Sequence, residues 1–236
     1  MSVLAMIPGI DPIYLVIIGG TMLLSFLVSN TMKSRFDKYS KTRIPVTGRE
    51  VAEMMLRENG ITDVRVVSVP GQLTDHYNPL NKTVNLSEPV YHQNSIAAAA
   101  VAAHECGHAV QHKRAYPWLT LRSKMVPAVN IANQVQNVLM MLFIFGFFIT
   151  QSPMLIWAMV ACLAAVALFS IVTLPVEFDA SNRALAWIES SGLSSRIEHD
   201  EAKNALFWAA MTYVVAALSS VAMLVYWLSI ALGRRD

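Results

Sequence analysis

From residue 125 to residue 176 the chain contains no Asp, Glu, Lys or Arg, and no other feature constrains its fold as strongly. A water-soluble domain carries about a quarter charged residues, whereas this chain of 236 residues is 14% charged and 55% hydrophobic. So long a charge-free run is expected to lie in a membrane. The polar turn TQSP at 150–153 divides it into two arms, roughly 130–149 and 154–174. Each approaches the ~20 residues that cross a ~30 Å hydrocarbon core as a helix. Two such arms on a short loop predict an antiparallel transmembrane hairpin, since in lipid a helix satisfies its own backbone.

Two further blocks, 12–30 and 205–233, are also free of charge. The first has no basic residue before it and no small-residue cleavage pattern after it, so it is expected to stay as an anchor. Lys33, Arg35, Lys38, Lys41, Arg43 and Arg49 follow it directly. By the positive-inside rule the N-terminus is then outside, 31–127 is cytoplasmic, 128–174 is the hairpin and 175–204 is cytoplasmic again. The segment 205–236 would be a last span, leaving the tail RRD outside. This predicts a multi-pass protein of the cell membrane with about four transmembrane helices. The net charge of +2 gives no reason to expect a nucleic-acid partner. Cys106 and Cys162, one in a motif and one in an apolar run, read as packing residues in a reducing compartment.

The segment 31–127 reads as a small α+β unit. VTGREVAEMMLRENGI carries Thr47 as a candidate N-cap, Gly60 as a stop, and Val51, Met54, Met55 and Ile61 on one side. DVRVVSVPGQ and KTVNLSE have the β-branched composition of short strands, with the polar stretch LTDHYNPLN expected as a loop between them. Ser95 can cap a following alanine-rich helix.

That helix carries HECGH at 104–108. Two histidines four apart lie one above the other on a helix face, the HExxH arrangement in which both ligate zinc and the intervening glutamate serves as general base. The pattern makes His104 and His108 metal ligands, Glu105 the base, and Zn2+ the cofactor. His112 continues the spacing but lies ~12 Å along the axis from His104, too far for one tetrahedral ion with ~2.0–2.1 Å bonds. It is expected beside the site or at the surface. A pattern with a glycine three residues past the second histidine would turn the chain, but Gln111 stands there.

The third ligand must come from elsewhere on the same membrane side. Asp75, His76, His92, Glu177, Asp179 and His199 qualify. Glu177 is preferred: it is the first ionisable residue after the charge-free run, on an expected helix with Thr173 as cap, Pro175 in the first turn and Gly192 at the end. His76 is the runner-up.

With its membrane segments, AAHECGHAVQH, LTDHYNP and the later EFDASNRAL, the chain resembles the YugP-type neutral zinc metallopeptidases. These are similar in turn to the HtpX and CAAX-prenyl-protease group of membrane gluzincins. The resemblance covers nearly the whole chain. It implies a zincin-like unit around the HExxH helix, His104, His108 and Glu177 as ligands, and Glu105 as base. The HtpX-like group usually has an Asp four residues past its glutamate ligand; this chain has Ser181, with Asp179 nearby.

The implied activity is peptide-bond hydrolysis at the cytoplasmic face, on a peptide or protein substrate. His76, Tyr77 and Arg183 are candidate oxyanion donors. An extended substrate would pair with a strand edge in 64–69 or 82–87. Two alternatives stand beside this: an intramembrane protease of the site-2 type, and a zinc-binding scaffold without catalysis. The run IAAAAVAA before His104 is too short to cross a bilayer, and a purely structural zinc would need no base.

Overall fold

The computed structural model describes residues 11–144, 152–193 and 195–233. They are mainly helical. In chain order come α1 (Pro12–Tyr39), α2 (Gly48–Glu58), β1 (Arg65–Val69), β2 (His76–Asn78), β3 (Thr83–Ser87) and α3 (Glu88–His92), then α4 (Ile96–Lys113), α5 (Pro117–Ile144), α6 (Pro153–Ser190) and α7 (Arg196–Leu232).

Among the described residues three helices, α1, α6 and α7, are long and apolar enough to cross a membrane. Their 28, 38 and 37 residues exceed the ~20 that a hydrocarbon core requires. The fourth expected span begins within α5, where Asn130, Asn133, Gln134, Gln136 and Asn137 dilute the apolar character. The rest of that arm, 145–149, lies outside the described residues, as do 150–151 of the expected turn and the tail 234–236.

One expected boundary is absent. The sequence pattern starts a helix afresh at Thr173; instead α6 continues through it, with Pro175 inside. The Thr173 hydroxyl donates to the Phe169 carbonyl at 2.8 Å, a mid-helix bond that replaces the cap. Proline removes one backbone N–H, and the helix-forming sequence on both sides outweighs that loss. The far end agrees with expectation, since α6 stops at Ser190 and Gly192 follows with φ +68°.

The chain divides into two compact units. Among the described residues, one comprises 11–27, 121–144, 152–173 and 213–233. Its core gathers Tyr14, Leu139, Ile156, Met159, Leu163 and Trp227. It leaves Met22, Phe26, Met154 and Leu168 exposed, as lipid-facing positions should be.

The other unit, residues 28–120, 174–193 and 195–212, holds the sheet. Thr47 caps α2 in a reciprocal capping box with Glu50, and Val51, Ala52, Met55 and Leu56 form its buried face. That face packs with the alanines of α4 in one core, which Ala184, Trp187 and Ile188 of α6 complete. The strands run in the order β1-β3-β2, with β1 parallel to β3 and β2 antiparallel to it. The stretch that forms β2 reads as loop in the sequence. It becomes a strand because His76, Tyr77 and Asn78 find partners in Asn85, Val84 and Thr83 of β3, so tertiary pairing overrides a turn-rich sequence. β3 is therefore the centre strand with both edges occupied, and a substrate strand cannot add to 82–87. The edges are β1 and β2.

Candidate metal centre

The helix α4 begins where Ser95 accepts a hydrogen bond from the Ala98 amide at 3.3 Å, as its sequence predicts. His104, Glu105 and His108 follow further along the helix, with Glu105 and His108 buried. The two imidazoles stack edge to face with centroids 4.9 Å apart.

From α6, Glu177 comes to both rings. Its Oε2 lies 3.3 Å from His104 Nε2 and 3.7 Å from His108 Nε2, and the side chain is only 2% exposed. One donor atom from each residue falls within a mutual distance of 4.8 Å. A tetrahedral zinc with ~2.0–2.1 Å bonds sets donor pairs roughly 3.3–3.5 Å apart. The two imidazole nitrogens and one carboxylate oxygen therefore fit zinc in both chemistry and spacing. Among the described residues this is the group of His, Cys, Asp and Glu side chains close enough to hold a metal.

The close approach of α4 and α6 depends on Gly107. A Cβ there would lie 2.6 Å from the Ala180 carbonyl oxygen and 3.1 Å from its Cα, both backbone atoms that no rotamer change can move. Gly107→Ala should force the helices apart, and overpacking of this kind typically costs ~1–3 kcal/mol. The expected result is a lower thermal midpoint and weaker zinc binding in detergent; an unaltered midpoint would contradict the contact.

A second set of contacts orients the histidines. His104 Nδ1 is 3.1 Å from the Ser181 hydroxyl, so the serine at the position of the HtpX-like Asp touches a candidate ligand directly. His108 Nδ1 is 2.9 Å from Gln111 Oε1. Asp179 does not stand in for that Asp at His104; it accepts from Gln111 Nε2 at 2.7 Å and reaches His108 only through that amide. Arg183 donates to Asp179 from Nε at 2.6 Å and from an amino nitrogen at 3.2 Å, and lies over the Tyr116 ring. Sequence reasoning overlooked Gln111, although its position three residues past His108 on one helix is the signal that could have revealed it.

The remaining candidates are placed elsewhere. Asp75 accepts from the Ser87 amide and hydroxyl, His76 is exposed with Nδ1 2.8 Å from the Thr74 carbonyl, and His92 packs edge-on against Tyr91. The Tyr77 hydroxyl meets His112 Nδ1 at 2.8 Å, joining β2 to the end of α4. His199 lines a separate recess with Glu189 and Asp200.

Burial pushes the Glu105 carboxyl above its ordinary range; the charges of His104 and His108 oppose this, and those of Glu177 and Asp75 add to it. Burial alone would lower His108, but the hydrogen bond and charge of Glu177, the charge of Glu105 and the Gln111 contact together raise it. With a raised folded value, protonated His108 stabilises the metal-free protein fully below about 6.5. That contribution is lost as pH rises through the raised value. Zinc needs the neutral ring, so proton competition should begin at higher pH than for an ordinary imidazole. Chelator competition across pH is expected to show zinc affinity already falling above that range, whereas a flat affinity down to about 6.5 would contradict it.

A motif helix and a carboxylate helix converging on one buried three-donor cluster define a class, and comparison with known families agrees. The family described as "Putative neutral zinc metallopeptidase" matches residues 14–232, and the chain belongs to it. The curated "Putative membrane protease YugP" of Bacillus subtilis (strain 168) is 43% identical over 215 residues, covering 90% of this chain and 94% of that protein. No solved structure matches.

Proposed function

We propose that the protein is a multi-pass membrane endopeptidase that hydrolyses peptide bonds with zinc held by His104, His108 and Glu177. The observation that carries this reading is the Glu177 carboxylate within 3.3 and 3.7 Å of both histidine Nε2 atoms, beside a buried glutamate on the same helix as the histidines.

Zinc at this site would supply a Lewis acid for the scissile carbonyl and for water. The chain's own residues do the rest. His104 and His108 would hold the zinc through Nε2, and Glu177 through a carboxylate oxygen. Glu105 takes a proton from the attacking water as its oxygen adds to the carbonyl carbon. It then delivers that proton to the leaving nitrogen as the C–N bond breaks.

The substrate is a peptide or protein, membrane proteins included. Of the two sheet edges, β2 is tied to α4 through Tyr77 and His112 and is the better platform for an extended chain. The oxyanion candidates are His76 and Tyr77 on that strand and Arg183, whose Nε and one amino nitrogen are engaged by Asp179. The basic residues after α1 favour a cytoplasmic site in the cell membrane, with α5 as a fourth crossing.

The test is cleavage of a casein-like substrate by the purified protein in detergent. Activity should be abolished by a strong chelator and restored by zinc. Chelator-resistant cleavage, or none by zinc-loaded protein, would sink the proposal; zinc uptake without cleavage would leave the scaffold alternative.

A further inference from the structure

Gln111 is fully buried, and a buried primary amide is costly unless its atoms are paired. Its pairing leaves little freedom. Nε2 lies 2.8 Å from the Val176 carbonyl oxygen and 2.7 Å from Asp179 Oδ2. Both neighbours accept, so the NH2 group must face them and use its two hydrogens there. Oε1 then faces His108 Nδ1 at 2.9 Å and can only accept. The proton between them belongs to Nδ1, and the lone pair of His108 is left on Nε2, the atom turned toward Glu177. Asp179 is held in turn by two bonds from Arg183. His104 has no equivalent restraint, because the Ser181 hydroxyl at its Nδ1 can either donate or accept.

From this geometry we infer that Gln111 is a positioning residue: it sets the tautomer and ring orientation of His108 for metal binding, and Asp179 and Arg183 hold it in that sense. The inference rests on the zinc site proposed above. It does not require that the site cleave peptides. Partners of this kind raise the basicity of a ligating imidazole and fix its direction, and losing one costs ~10–100-fold in metal affinity or activity.

The experiment measures zinc affinity of the full-length protein in detergent by competition with a chromophoric chelator. Gln111→Met keeps the length of the side chain and removes both polar ends. Gln111→Glu combined with Asp179→Asn reverses the bond between them: the carboxylate introduced on α4 accepts from His108, and the amide introduced on α6 donates to that carboxylate. The Met variant should bind zinc ~10–100-fold more weakly, with the double variant returning toward the parent. A folded Met variant with parental zinc affinity overturns the inference. Should the Met variant fail to fold, the double variant decides: parental affinity upholds the relay, and a loss of the size expected for Met refutes it. Because the readout is zinc affinity, a protein that binds zinc in this pattern but cleaves nothing refutes the peptidase reading alone.

Discussion

Glu105→Gln should abolish measurable proteolysis while leaving zinc bound. The substitution keeps the size of the side chain and its buried place on α4 but removes the group able to accept a proton. General-base assistance contributes typically 10²–10⁴-fold, so a loss of that order in kcat is expected with KM little changed. Zinc content should stay near that of the parent, because the three donor atoms belong to His104, His108 and Glu177. The measurement is casein-like substrate turnover beside metal analysis of the same preparation. Unchanged turnover would remove Glu105 from the mechanism. Loss of zinc along with activity would mean that the carboxylate holds the metal rather than moves a proton.

Glu177→Ala should instead lose the metal. In the proposed site the carboxylate would supply one of three donors, and it is 2% exposed between two imidazoles, so bulk solvent could not replace it cheaply. Changes one shell further out cost ~10–100-fold in affinity, and removing a direct ligand should exceed that. His76→Ala is the matched control: His76 is exposed and bonded to the Thr74 carbonyl, outside the three-residue group, and should bind zinc as the parent does. Zinc retained by Glu177→Ala and lost by His76→Ala would reverse the assignment of the third ligand.

Features encoded by short-range rules were legible before any coordinates. Thr47 as cap of α2, Ser95 as cap of α4, and the span-length apolar helices each depend on residues close to one another in the chain. The carboxylate helix starts far before its expected N-terminus for a related reason. Thr173 and Pro175 satisfy the pattern of an N-terminus, but the same residues fit inside a continuing helix once apolar turns flank them on both sides. β2 escaped notice because three residues among Pro, Asn and Asp show no strand period; only β3 makes them a strand.

Sequence alone determined that the chain carries helices long and apolar enough to cross a membrane and two histidines on one helix face, because hydropathy and the i, i+4 spacing are local properties of the chain. The tertiary structure decided which side chains gather around those histidines. Glu177 approaches from sixty-nine residues beyond His108, through a gap that exists only because Gly107 has no Cβ to meet Ala180. His108 is turned by Gln111, whose amide is oriented by acceptors on another helix. Such relations depend on distances between segments far apart in the chain, and no periodicity in the sequence encodes them.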